Sequence, residues 1–323
     1  MINITEKKIF IMLVVFLSIS IALNAQMITR TKVLMGTFVH ISTDELNKDY
    51  IQKSFELIND IDLSLSSYNK NAQIYKLNHE KKSSLNNYTY EALSLSKKYY
   101  KQSDGYFDIT IGSITKDLYA FGEEEHLPSI KKLKGAVVNF KGLVFDKNMA
   151  YLDENIKVDL GGMGKGYAVN KVAEYLKRND VKQAVIAASG DIRCLDICKI
   201  DVDNPFSDIA LLTFTTSKKD MGISTSGNYN RYVKSVKNNH LINPKTKLSQ
   251  EKFISITLIS HMPSSNLDAY ATAASVMPIK KAYKFLNNFE LAYVVLQSDG
   301  ELIFSKNFSQ YTRNLLSNYA VKK

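Results

Sequence analysis

The period of apolar and polar positions changes repeatedly along the chain, and each change marks an element. Ile51, Phe55 and Ile58 recur at helical spacing and predict an amphipathic helix to about Leu63. Tyr90 to Gln102 predicts a second helix, stopped by Gly105. Strands are expected over Val33 to Ser42, Gly142 to Asp146 and Tyr151 to Leu160. The last of these ends in the alternating run Ile156-Lys157-Val158-Asp159-Leu160, and a glycine-rich turn follows it. Val169, Val172, Ala173 and Leu176 then set a helix that begins near Tyr167. Val181 to Ala188 reads as a buried strand. Ile209 to Thr216 and Phe253 to Ser260 are strand-like and rich in β-branched residues. Asn266 to Val276 and Ile279 to Asn288 read as helices. Leu291 to Gln297 and Glu301 to Phe304 form a hairpin across Asp299-Gly300. Helices and strands mix irregularly, which is an α+β pattern and not the alternation of a doubly wound sheet.

The 323 residues are 45% hydrophobic and 23% charged, a globular composition with length for one large domain or two. The N-terminus stands apart. Lys7 and Lys8 precede an apolar run from Ile9 to about Leu23, and Ala25 offers a small residue at a cut. Residues 1–25 are therefore expected to be a signal peptide, the alternative being an uncleaved anchor. The run is short for a bilayer span. No Cys lies near the cut, which excludes a lipoprotein anchor. The expectation is an exported, periplasmic protein whose membrane contact comes only through an uncleaved N-terminus. Cys194 and Cys198, the two cysteines, then allow either a local disulfide or two free thiols. The net charge of +10 rests almost wholly on scattered lysines. A nucleic-acid footprint gathers its charge and favours Arg, so nucleic acid is not an expected partner.

The chemistry gathers at the glycine turn, Gly161-Gly162-Met163-Gly164-Lys165-Gly166. A strand, a glycine turn with a lysine and a helix start can seat a phosphate ester on backbone N–H groups. Neither the Walker nor the dinucleotide spacing fits, and a tight turn that binds nothing is the plain alternative. Asp268 and Thr272 lie at i and i+4 of a predicted helix, so a carboxylate and a hydroxyl share one face. Two such oxygens suit Mg²⁺; a capping Asp and a Thr bonded to its own backbone are the alternative. Ser224-Thr225-Ser226-Gly227-Asn228-Tyr229 reads as a polar turn. His240, before Leu241-Ile242-Asn243-Pro244, is the candidate proton carrier. Tyr106 and Phe107 could stack on a flat ring, with core packing the alternative for Phe107. No nucleophile elbow is present.

Eight segments in order resemble the ApbE family, the FAD:protein FMN transferases. They are Met35-Gly36-Thr37, Ser67-Tyr68, Gly105 to Thr110, Asp159-Leu160-Gly161-Gly162 with Lys165-Gly166-Tyr167, Ser189 to Ile192, Thr225-Ser226-Gly227, His240 to Pro244, and Asp268 with Thr272. The resemblance implies one α+β domain over residues 26–323, with mixed β-sheets flanked by helices and a nucleotide cleft. It implies FAD contacts at Met35, Tyr68, Tyr106, Phe107, Asp108, Asp159, Lys165 and Ile242. It implies side-chain Mg²⁺ ligands at Asp268 and Thr272, with backbone oxygens from Gly162 and Ala271. The reaction implied is transfer of FMN from FAD to a Ser or Thr hydroxyl of an acceptor protein, with AMP leaving. Asp268 and His240 are then the catalytic candidates, and a membrane or exported redox protein is the expected acceptor. An FAD pyrophosphatase, a noncatalytic exported flavin binder and a structural protein are the rivals. The chain departs from the family pattern at Gly164, Ala187 or Ala188, Ser189, Asn228 and Asn243.

Overall fold

The computed structural model describes residues 26–319. The expected signal segment, residues 1–25, lies outside the described residues. Strand β1 (Met27–Leu34) pairs antiparallel with β2 (Thr37–Asp44). One strand over Val33 to Ser42 is expected from the sequence, but a turn divides it. Met35 and Gly36 both take positive φ, 53° and 71°. Such two-residue loops match the twist of the strands they join. Met rarely occupies the left-handed region, so composition did not signal the turn.

Helix α1 (Asp49–Leu65) buries Ile51, Phe55, Ile58 and Ile61. Helix α2 (Gln73–Glu80) follows, and Asn86 caps α3 (Asn87–Gln102) by accepting from Thr89 N at 2.9 Å. Strands β3 (Lys82–Ser84), β4 (Leu143–Phe145) and β5 (Met149–Leu152) form a small sheet in the order β3-β5-β4. The expected strand over Ile156 to Leu160 joins no sheet. Ile156, Val158 and Leu160 are buried, so the alternation is real. Its hydrogen bonds go elsewhere: Asn78 Oδ1 accepts from Val158 N at 2.7 Å, and Asn78 Nδ2 donates to Val158 O at 2.8 Å. Asp159 N donates to Ile109 O at 2.7 Å. A side chain and a loop thus replace a neighbouring strand.

Helix α4 (Gly164–Arg178) begins in the glycine turn itself, ahead of the expected Tyr167. After it come β6 (Ala184–Ala188), β7 (Asp191–Cys194), β8 (Lys199–Val202), β9 (Leu212–Thr216) and β10 (Met221–Gly227). Then follow β11 (Phe253–Ser260), α5 (Ser264–Ser275), α6 (Ile279–Leu286), β12 (Ala292–Gln297), β13 (Leu302–Phe304) and β14 (Thr312–Ser317). The principal sheet has eight strands in the order β1-β2-β6-β7-β10-β11-β12-β13. Its ladders are all antiparallel, where mixed sheets were expected. The polar turn expected at Ser224 is instead the middle of β10, a central strand whose hydroxyls are bonded inside the fold.

Helices cover one face of this sheet. Val39, Ile186, Ile256 and Leu258 pack there with Val169, Val172, Leu267 and Ala271. On the other face Met221, Ile223, Ile259 and Val294 pack against Ile200, Val202, Leu212 and Phe214 of the β14-β9-β8 sheet. The result is three layers, and β7 and β10 in the middle one have a different neighbour on each face. Cys194 and Cys198 are joined in a disulfide, with Cα atoms 6.1 Å apart, between β7 and the loop into β8.

Candidate active site

Two glycines let the first turn of α4 meet α5. A Cβ on Gly166 would stand 2.6 Å from Asp268 Cβ and would meet the Ser264 carbonyl, so only glycine fits. A Cβ on Gly162 would lie 2.9 Å from Thr272 Cγ2 and 3.3 Å from Thr272 Oγ1. All of α5 is buried except Thr272, which is the helix's one opening toward the surface.

At this crossing Gly166 N donates to Asp268 Oδ2 at 3.0 Å. Lys165 Nζ lies 3.1 Å from Asp191 Oδ2 and 3.8 Å from Asp268 Oδ2. Asp191 Oδ1 accepts from Ser224 Oγ at 2.5 Å, and Ser226 Oγ stands 3.5 Å from Thr272 Oγ1. Burial and the neighbouring Asp191 push the Asp268 carboxyl well above the usual carboxylate range. Burial alone would lower Lys165, but Asp191 and Asp268 outweigh it and hold the ammonium above the usual lysine value. Asp268 therefore does not cap its own helix, and its partners come from α4.

A second group lies beside the first. Asp159 Oδ1 accepts from Gly161 N at 2.9 Å, and Oδ2 accepts from Thr115 Oγ1 at 2.6 Å. Lys116 Nζ stands 3.6 Å from Asp159 Oδ2 and 3.6 Å from the Tyr68 ring centroid. Burial would raise Asp159, but Lys116 and Thr115 overcome it and bring the carboxyl to about 2. Tyr68 Oη donates to Phe121 O at 2.7 Å and accepts from Arg231 Nη2 at 2.6 Å. His240 N donates to Arg231 O at 3.1 Å, and the ring Nδ1 lies 3.1 Å from the same carbonyl. A carbonyl only accepts, so Nδ1 carries the proton and Nε2 keeps its lone pair. Burial, with Arg231, lowers His240 to about 4, so the ring is neutral near pH 7.

The other expected residues divide. Met35 Cε lies 3.6 Å from a Cβ built on Gly164, so the hairpin tip reaches the start of α4. Tyr106 stands between Lys281, 4.7 Å from its centroid, and Lys245, at 5.5 Å. Phe107 is buried edge-on to Tyr99 at 5.6 Å, and its Cε2 comes within 3.3 Å of a Cβ on Gly162. Core and site readings of Phe107 therefore hold together. Asp108 turns back on its own chain: Oδ1 accepts from Thr110 N at 2.9 Å and Thr110 Oγ1 at 2.6 Å. Ile242 packs with Ile114, Tyr119 and Phe121. Ala271 is fully buried, and its carbonyl accepts from Ser275 Oγ at 2.8 Å. The Asn243 side chain bonds Val276 and the turn that follows residue 243, not His240. Its Nδ2 donates to Val276 O at 2.7 Å, which a carboxylate could not do. Ser189, where the family pattern has glycine, holds φ at 56°.

Sequence reasoning missed Lys116 and Arg231 and gave Asp191 no role. A lone Asp inside a β-rich stretch was a usable signal for Asp191, whereas nothing near Lys116 marked it among so many lysines. Among the described residues no three His, Cys, Asp or Glu side chains converge as metal ligands. A cation at Thr272 and Asp268 would rest on one carboxylate, hydroxyls and backbone carbonyls. These are hard oxygen donors, and the set fits Mg²⁺ better than a softer metal. A separate cleft of about 120 Å³ opens on the opposite face of the sheet, lined by Ile192, Ile223, Thr225 and Tyr229.

The ApbE family model matches residues 35–295, most of the chain. The chain belongs to the ApbE family. The FAD:protein FMN transferase of Buchnera aphidicola is 29% identical over 239 residues, covering 68% of this chain and 70% of that protein. The enzyme of the same name from Vibrio cholerae is 24% identical over 270 residues, 77% of this chain and 79% of that one. Among solved structures, the ApbE protein of Thermotoga maritima superposes with a TM-score of 0.81 at 22% identity, covering 90% of this chain and all (100%) of that one. The flavin transferase ApbE of Vibrio cholerae gives a TM-score of 0.77 at 18% identity, covering 89% and 99%. The α+β fold described above is thus the ApbE fold.

Proposed function

We propose that this ApbE-family chain transfers the FMN part of FAD to a Ser or Thr hydroxyl of an acceptor protein and releases AMP. The observation that carries the reading is the convergence of Lys165, Asp268, Thr272 and Gly162 at the first turn of α4. Relatives named FAD:protein FMN transferase support the choice of substrate. Mg²⁺ would be held by Asp268 and Thr272 with the backbone oxygens of Gly162 and Ala271, and when bound would draw charge from pyrophosphate oxygens.

The chain's own groups do the rest. Lys165 orients the phosphates and offsets charge in the transition state, whereas the Gly164 and Gly166 N–H groups are already taken by Leu160 O and Asp268. Tyr68, Tyr106 and Met35 line the approach for the flavin. His240 Nε2 is a lone-pair acceptor held by the Arg231 carbonyl, and it takes the proton of the acceptor hydroxyl. That oxygen forms a bond to the FMN phosphorus as the bond from phosphorus to AMP breaks. The acceptor is an exported or membrane redox protein. The apolar run from Ile9 to Leu23 and the Cys194–Cys198 disulfide support an oxidising compartment such as the periplasm.

The test combines the chain with FAD, Mg²⁺ and an envelope extract, followed by a denaturing gel imaged for flavin fluorescence and an assay of AMP. A labelled protein band and AMP, both lost with chelator, are expected. AMP and free FMN without a band would point to water as acceptor. Neither product would sink the proposal.

A further inference from the structure

We propose that Arg231 is a positioning residue for flavin binding, acting through Tyr68, with Lys116 as its counterpart beneath the ring. The inference rests on FAD being the ligand of this site.

Tyr68 follows the end of α1 in a turn where Ser66 Oγ accepts from Tyr68 N at 3.2 Å and Asn69 N at 3.1 Å. The ring is 39% exposed. An exposed tyrosine on a loop ordinarily samples several rotamers, and a ligand must then bear the cost of selecting one. Here three contacts select it in advance. Arg231 Nη2 donates to the Tyr68 oxygen at 2.6 Å and to Phe121 O at 2.9 Å, so one nitrogen ties the phenol to the segment after the Gly112–Thr115 turn. The Tyr68 hydroxyl donates to that same Phe121 carbonyl at 2.7 Å. Lys116 Nζ covers one face of the ring at 3.6 Å and is itself buried against Asp159. With one face taken by an ammonium, only the other remains for a flat aromatic ligand.

Arg231 also reaches the second half of the site by its backbone. Its carbonyl accepts from both His240 nitrogens named above. One residue thus sets the ring of Tyr68 by its side chain and the imidazole of His240 by its main chain. Substituting the side chain breaks the first link and keeps the carbonyl contact to His240, while removing the positive charge that disfavours the protonated imidazole. The signature is a raised Kd and a raised KM for FAD, each changed by a larger factor than kcat.

FAD binding to the full chain with Mg²⁺ is read by quenching of flavin fluorescence, beside thermal melts of every variant. Arg231→Gln and Tyr68→Phe each remove one partner of the same bond. Each is expected to raise Kd for FAD about tenfold, and the double variant by clearly less than the product of the two, since both changes act through the same ring and only the Tyr68 bond to Phe121 O is lost in addition. Tyr68→Phe keeps the ring, so the pair stays informative if Arg231→Gln melts early. A double variant about a hundredfold weaker would mean Arg231 acts independently of Tyr68, and that would overturn the inference. Unchanged affinity in Arg231→Gln would also overturn it, while leaving the transferase reading intact. If the unaltered chain binds no FAD, both readings fail together.

Discussion

Gly166 and Asp268 lie against each other at the crossing of α4 and α5, joined by an N–H to carboxylate bond of 3.0 Å. The bond exists because residue 166 has no side chain. A Cβ there would stand 2.6 Å from Asp268 Cβ. Gly166→Ala is expected to destabilise the fold by about 1–3 kcal/mol, the usual cost of overpacking a tight contact. It also pushes the two helices apart at the phosphate site. Thermal melts and FAD titration check this, and an alanine variant with native stability and affinity would refute the close-packing account.

Asp268 lies one helical turn from Thr272, and Lys165 bridges it to Asp191. Asp268→Ala is expected to lower Mg²⁺-dependent AMP release by about a hundredfold or more. Full Mg²⁺-dependent turnover in that variant would remove Asp268 from the metal site. Lys165→Ala leaves Asp191 and Asp268 facing each other without their cation. Its expected effect is weaker FAD binding, and an unchanged Kd would count against Lys165 as a phosphate contact.

Two groups, His240 held neutral and Asp159 held ionised, contribute to the pH dependence of stability. His240 falls to about 4 in the fold against 6.5 when unfolded. Between those values the unfolded chain binds the extra proton, so stability drops as pH falls from 6.5 toward 4. Asp159 is depressed to about 2 from 3.8, so its contribution is present above 3.8 and is lost as pH falls through 2. Asp268, raised by burial and Asp191, acts in the opposite direction over the same range, so the comparison is between the two chains. Melting temperatures between pH 7 and 4 should fall more, or rise less, in the native chain than in His240→Gln. An equal slope in both chains would show that the buried imidazole is not the titrating group.

The elements with strong periodicity were legible in the sequence. Phe253–Ser260 is the strand expected, and α1, α3, α5 and α6 lie where their apolar stripes put them. The misses share a physical cause: the side chain or backbone did something its type seldom does. Met35 takes a left-handed turn, hydroxyl residues fill the central strand β10, and Asn78 replaces a strand beside Val158. The site divides the same way. Asp268 and Thr272 share a helix face by spacing alone, so the pair could be found. Arg231 meets Tyr68 across 163 residues of sequence, and no local pattern encodes such a meeting.

The disulfide offers a test of the layers independent of the site. Cys194 ends β7, whose first residue is Asp191, and Cys198 leads into β8 on the opposite face of the sheet. The loop it closes is short, so its effect on the unfolded chain is modest, about 2 kcal/mol by chain entropy. Asp191 itself is held by the ladder to Ser224 and by the bond to Ser224 Oγ, neither of which needs the disulfide. Replacing both cysteines by alanine should lower the melting temperature by several degrees and leave FAD affinity within about twofold. A large loss of affinity at unchanged stability would instead mean that the bridge sets the position of Asp191, and through it Lys165.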